Sequence, residues 1–327
     1  MGLILSFIAA FSNYTIRADT FLILLCSYII IALCVICSFF LIKKYQKNMN
    51  FANIFSSEII KFNKNMIRKT NSSISIIYLE SGRYINFIQT LQRRAGDLEL
   101  LPTGDLSEFR NEIEAENQDY IRHLSQRYNI YIKYIIGSTK KIIEKSINTR
   151  NYELSVSVTL KLLNKIFEDG ENHYDIKVFT AFRDPDTYNE GTREIGKRDY
   201  TINGNIDFAM CLIKEYYIKN NARKGDGDYA NEHTDFDQYY NCTITVPIYS
   251  NYSGKKRYFG YLCCDVLNEK YGDAEIFTIN ESHLLSSSAF NLSLFLDTIN
   301  SSWKNMIEHN DFFNAHIHGE FIEKRNI

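Results

Sequence analysis

The chain has 327 residues, 45% of them hydrophobic and 23% charged, with a formal net charge of -2. That balance supports a packed core and excludes wholesale disorder, and the absence of a basic excess gives no footing for a nucleic-acid partner. Seven cysteines (Cys26, Cys34, Cys37, Cys211, Cys242, Cys263 and Cys264) show no CxxC spacing and no disulfide framework, so reduced thiols are expected.

Residues 1–20 open with an apolar stretch too short to span a bilayer comfortably, read as an extracytoplasmic or interfacial segment; a two-pass hairpin is the alternative. Residues 21–42, Phe21 to Ile42, run for 22 positions without a charge. About 20 apolar residues cross a bilayer as a helix, so one transmembrane helix is expected here. A signal peptide would need a shorter apolar core and a basic start. Lys43, Lys44, Lys47, Lys61, Lys64, Arg68 and Lys69 follow the run against the single acid Glu58, while Arg17 and Asp19 cancel before it. The positive-inside rule then places the N-terminus outside and the rest of the chain in the cytoplasm, with lysines near anionic lipid headgroups.

Residues 43–105 read as a juxtamembrane helical region, with a helix ending at Arg93 and Arg94 and a linker around Pro102 and Gly104. From Leu106 to about Asn148 apolar residues return every three or four positions, which predicts a long amphipathic helix. It serves either as a signalling stalk and dimer seam or as packing for its own domain. The period then changes to two. Leu154 to Leu163, Ile176 to Arg183, Cys242 to Ile248 and Tyr258 to Val266 predict strands, with Tyr216 to Lys219 as a short edge strand. Glu275 to Ile299 is helical again, and residues 300–327 form a polar tail. Long helices bracketing five or six antiparallel strands predict an α+β domain over residues 106–299.

The alternation divides the sheet. Val156, Val158, Leu160, Val178, Ile244, Val246 and Leu262 are set for an apolar face. Ser157, Thr159, Thr180, Thr245, Tyr261, Cys263 and Asp265 are too polar for plain core. Buried, each needs a partner; the alternative is a solvated face. Residues 184–230 are long enough to fold over them, and Arg183 and Asp207 extend the candidate ligand set. Arg183 either grips a phosphate or carboxylate by its two-pronged guanidinium or pairs with Asp184 or Asp207.

This order of elements resembles a GAF domain, a relative of the PAS sensors. The resemblance is carried by Val246-Pro247-Ile248, a turn at Ser253-Gly254, Phe259-Gly260-Tyr261-Leu262 and Asp265, followed by the amphipathic helix, and it covers about Leu106 to Ile299. It implies helices packed on one sheet face, often dimerising, and a small-molecule pocket on the other. Gly260 allows close backbone approach. Bilin attachment requires Cys-His, which is absent, and the spread signature of cyclic-nucleotide binders is not found. No phosphate-binding loop, dinucleotide fingerprint or metalloprotease motif occurs, so no cofactor, metal or catalytic residue is expected. The resulting expectation is a membrane-anchored cytoplasmic sensor or effector for a small polar ligand, possibly a nucleotide, acting as a homodimer or higher homo-oligomer. A non-sensing scaffold and a thiol enzyme using Cys263 or Cys264 are the alternatives.

Overall fold

The computed structural model describes residues 18–99, 107–184, 199–222, 229–232 and 236–318. Contact density divides the chain into two units, residues 1–59 and 60–327. Three long helices carry most of the chain: α1, Ala18–Glu99, α2, Ser107–Asn148, and α4, Ile279–His318. The helix expected to stop at Arg93 and Arg94 therefore continues to Glu99, and the closing helix runs past Ile299 to His318. The backbone of residues 21–42 is helical, and its exposed side chains include Ile29, Leu33, Ile36, Phe39 and Phe40. Most other side chains of that stretch fall outside the described residues. Among the described residues no helix is long and apolar enough to cross a membrane.

Between α2 and α4 lie six antiparallel strands: β1, Ser157–Glu168, β2, Lys177–Arg183, β3, Asp199–Thr201, β4, Tyr217–Asn220, β5, Cys242–Tyr252, and β6, Lys255–Val266. Their order in the sheet is β3-β2-β1-β6-β5-β4. The α+β architecture is as expected, with two corrections of extent. β1 begins three residues later than Leu154 and continues to Glu168, and β5 and β6 extend to meet in a tight hairpin. Ser253 and Gly254 make that turn with φ of 50° and 82°; two positive φ values match the right-handed twist of the flanking strands.

The short helix α3, Ile206–Ile213, was not foreseen within the long connection. Asn205 caps it by accepting the Asp207 N–H, satisfying one of the donors a helix start leaves open. α4 begins with a capping box: Glu281 Oε2 accepts the Thr278 N–H at 2.8 Å, and Thr278 Oγ1 accepts the Asn280 N–H.

α2 and α4 cover one face of the sheet, against β1, β5 and β6. Val158, Leu160, Ile244, Val246, Leu262 and Cys264 point into that layer with no exposed surface. Val178 departs from the expected apolar set. It joins Leu163, Phe167, Ile202, Phe208 and Tyr261 in a cluster on the opposite face. Two residues from Thr180 and paired with Leu163, it shares their face by plain alternation; the register shift that aligns Leu160 with Phe182 but Lys161 with Thr180 brings Arg183 to that face as well. One extra residue turns the strand over.

Within residues 60–327, α1 runs parallel to α4 and antiparallel to α2, joined by two buried polar layers. In one, Thr70 Oγ1 lies 2.6 Å from Tyr131 Oη and donates to Asn291 Oδ1 at 2.9 Å. In the other, Ser81 Oγ lies 2.7 Å from Tyr120 Oη and donates to Ser302 Oγ at 3.0 Å. The layers stand eleven residues apart on every helix, three turns, so all three helices bring a polar side chain back to the same face.

Candidate functional site

All nine residues expected at a ligand site are buried, which excludes the solvated-face alternative. Strand pairing explains the convergence. Across the sheet, Ser157 stands opposite Asp265, Thr159 opposite Cys263, and Lys161 opposite Tyr261; on the other side of β6, Thr243 faces Asp265 and Thr245 faces Cys263. Residues directly opposite one another share a face. Arg183 pairs with Thr159 and Thr180 with Lys161, so the bulge lets two residues three apart face the same side. α3 lies over this face and contributes Asp207 and Phe208.

A cavity opens between sheet and connection. It is lined by Lys161, Thr180, Arg183, Tyr200, Cys263 and Asp265 from the strands, and by Asn205, Asp207, Phe208, Asn231, Phe236, Tyr239 and Tyr240 from the segments between them. Thr180, Arg183, Asp207, Cys263 and Asp265 were anticipated. Ser157, Thr159, Thr245 and Tyr261 share the face but do not line the cavity: Ser157 Oγ accepts from Arg183 at 3.5 Å, and Tyr261 stacks on Phe208 with ring centroids 4.6 Å apart. Lys161 was legible as a polar position of β1 but was not singled out. The aromatic and amide residues of the connection carry no periodic signal that would have marked them.

Asp207 is the electrostatic centre. Its Oδ2 accepts the Tyr229 hydroxyl at 3.1 Å, Tyr229 and Tyr240 hydroxyls lie 3.0 Å apart, and Asn231 donates to Tyr240 at 2.8 Å. Loss of solvent, and then the nearby Asp265, push the Asp207 carboxyl from 3.8 up to about 7, against the Tyr229 hydrogen bond and the Lys161 charge. Asp265 accepts the Thr243 hydroxyl at 2.7 Å. The Lys161 ammonium sits 3.8 Å from the Tyr200 ring centroid and 5.2 Å from that of Phe208, held by ring faces.

The alternative reading paired Arg183 with Asp184 or Asp207. Asp184 Oδ1 takes Lys140 of α2 at 2.9 Å, and its Oδ2 accepts the Val158 N–H at 3.0 Å. The thiols are poor nucleophiles. Burial raises Cys263 to about 12 and holds Cys211 and Cys264 well above their usual range, so each stays protonated at neutral pH. Among the described residues no cluster of His, Cys, Asp or Glu suits a metal ion. The arrangement can bind a small polar molecule through two cations, two carboxyl groups and aromatic walls. No family model matches the chain, and no curated protein does.

Proposed function

We propose that this chain is a membrane-anchored sensor or effector whose GAF-like domain binds a small polar ligand. The observation that carries this reading is the cavity itself. It brings Lys161, Arg183, Asp207 and Asp265 together on a covered sheet face, and concave sites with a few convergent polar groups are the usual places for small ligands. The apolar residues 21–42 would anchor the chain, with the basic cluster from Lys43 to Lys69 and the domain in the cytoplasm. The exposed aliphatic side chains of that helix support lipid as their surroundings. A ligand acts by favouring one of two arrangements of the domain, and the Lys140–Asp184 pair offers a link from the cavity edge to α2.

Native mass spectrometry of the purified chain, with a thermal-shift screen across nucleotides and metabolites, tests this. A retained or stabilising molecule is expected, and Thr180→Trp, which narrows the cavity, should abolish its effect. No retained molecule and no shift across the panel would reject sensing. A cysteine introduced near Gly227 tests the topology. It should escape an impermeant thiol reagent in intact cells and react after lysis.

A scaffold reading has its own support. Ile60, Ile67 and Tyr78 of α1 and Phe290 and Leu294 of α4 are exposed, a surface suited to a second copy of the chain. The raised thiol pKa values weigh against the thiol-enzyme reading.

A further inference from the structure

α1 carries two rows of side chains at heptad spacing. The first, Met66, Thr70, Ser73, Ile77, Ser81 and Tyr84, is buried, and Thr70 and Ser81 tie it to α2 and α4. The second is Ile60, Lys64, Ile67, Asn71, Ile74 and Tyr78, which advances by alternating steps of four and three residues, the spacing of a coiled-coil seam. From Ile67 onward each member follows a buried one by a single residue, a rotation of about 100° on a helix. That turn carries the row out of the bundle. Ile60, Ile67 and Tyr78 are 69%, 51% and 63% exposed, Lys64 and Asn71 are exposed, and Ile74 is half-buried.

α4 widens this surface. Asn63 Oδ1 accepts the Ser287 hydroxyl at 2.9 Å, and Thr70 donates to Asn291, which sets α1 beside α4. Helix residues three or four apart are neighbours. Ile60 and Ile67 flank Asn63 in this way, Phe290 flanks Ser287, and Leu294 flanks Asn291. Phe290 and Leu294 are 62% and 39% exposed. At about 200 Å² for a large apolar residue, the five exposed side chains leave roughly 550 Å² in water. Single exposed hydrophobes are ordinary, but a contiguous patch of this size marks an interaction site. Pairing two such patches removes roughly 1,100 Å², and the flanking Lys64, Asn71 and Ile74 bring the total to the about 1,200 Å² or more of a specific interface.

We propose that a second copy of this chain docks here, α1 against α1, parallel and in register about a two-fold axis, with Phe290 and Leu294 closing the sides. The row is self-complementary in that arrangement alone. Ile60, Ile67 and Ile74 meet their equivalents, and Asn71 meets Asn71, whose amide both donates and accepts. An antiparallel pairing of the row, Ile60 against Tyr78, sets Asn71 against Ile67 and buries an amide without a partner. Lys64 lays its stem along the seam and keeps its ammonium in water. The parallel direction also rests on the membrane-anchored reading, because copies held by residues 21–42 in one bilayer point the same way.

The full chain in detergent micelles, with Cys26, Cys34 and Cys37 replaced by Ser, is examined by light scattering and by oxidative cross-linking of single cysteines. A dimer is expected. Lys64→Cys and Tyr78→Cys should each cross-link to themselves, since two positions two heptads apart both self-pair only in a parallel, in-register dimer. Ser72→Cys, a further turn of about 100° round the helix, should not. Ile67→Asp with Phe290→Asp, checked for folding by circular dichroism, should weaken association by about tenfold or more. A monomer, or a dimer that the folded double variant leaves intact, would overturn the proposal. So would cross-linking between Lys64→Cys and Tyr78→Cys chains without self-pairing, the mark of an antiparallel dimer. Ligand retention and thiol labelling in intact cells are read separately. A parallel dimer that holds no ligand rejects sensing alone, and a correctly oriented, ligand-binding monomer rejects this inference alone.

Discussion

Lys140 of α2 and Asp184 at the end of β2 form an ion pair of 2.9 Å with side-chain exposures of 8% and 1%. The same carboxylate receives the backbone N–H of Val158, so one side chain ties a helix to the first strand beside the cavity. Breaking a buried pair from one side leaves an uncompensated charge and typically costs about 3–5 kcal/mol. Lys140→Met is predicted to destabilise by that order in urea denaturation. The double variant Lys140→Met with Asp184→Asn should recover part of the loss, because no bare charge remains. Equal losses for the single and double variants would argue that the pair is not the source.

Gly260 tests the close approach of β6 to β1. A Cβ built there would stand 2.1 Å from the Lys161 carbonyl oxygen and 2.9 Å from the Leu162 Cα. Both are backbone atoms of a central strand, which cannot swing aside. Gly260→Ala is predicted to cost about 3 kcal/mol or more, read as a large drop in melting temperature, whereas Gly170→Ala meets no atom within 4 Å and disturbs only a turn of positive φ. Comparable effects at the two glycines would contradict the clash.

Asp207 makes stability depend on pH with a definite sign. Its carboxyl titrates near 7 in the folded chain against an ordinary 3.8, so the folded state holds the proton more tightly. The stabilisation from the bound proton is fully present below about pH 3.8 and is lost as the pH rises through about 7. Asp207→Asn removes this loss. The variant should melt higher than the unmodified chain at about pH 8, and the advantage should shrink towards zero near about pH 4. A variant less stable at every pH would show that the carboxylate itself is required.

The two polar layers between the long helices are predicted to act independently. Tyr131→Phe leaves Thr70 and the Asn291 carbonyl without the hydroxyl they meet in the folded chain, and Tyr120→Phe does the same to Ser81. Each should cost about 1–3 kcal/mol. Eleven residues of helix place the layers about 16 Å apart, so the double variant should show the sum of the single losses. A coupling of 1 kcal/mol or more, read against the about 0.5 kcal/mol expected for separated sites, would mean that the layers shift together.

Periodicity made most of the scaffold readable. α2 and about the first half of α4 declared themselves by a three-to-four spacing, and β1, β5 and β6 by alternation. Gly260 and the Ser253-Gly254 turn were legible because only certain residues tolerate a crowded strand or two successive positive φ values. α1 was harder. Its polar layers at Thr70 and Ser81 interrupt the apolar stripe, so residues 43–105 read as a helical region ending at Arg93 and Arg94 when one helix runs on to Glu99. Val178 was assigned to the wrong face although it stands two residues from Thr180 and alternation puts the two together; the bulge beyond Thr180, which brings Arg183 to that same face, is what nothing in Lys177 to Arg183 signals.

By itself, then, the order of residues determined the α+β class, the helical and alternating segments, the polar character of one sheet face and the uncharged stretch from Phe21 to Ile42. These properties live in near-neighbour geometry, where a repeat of two or of three to four residues decides which side chains share a surface. Only the tertiary structure decided that Asp184 meets Lys140, that Lys161 lies over Tyr200, and that Asp207 is buried beside Asp265 with one oxygen unmatched among the described residues. Those relationships join residues far apart along the chain through strand register and the fold of an aperiodic connection. Their energies depend on burial and on the charges that burial brings together, and neither is encoded in any local repeat.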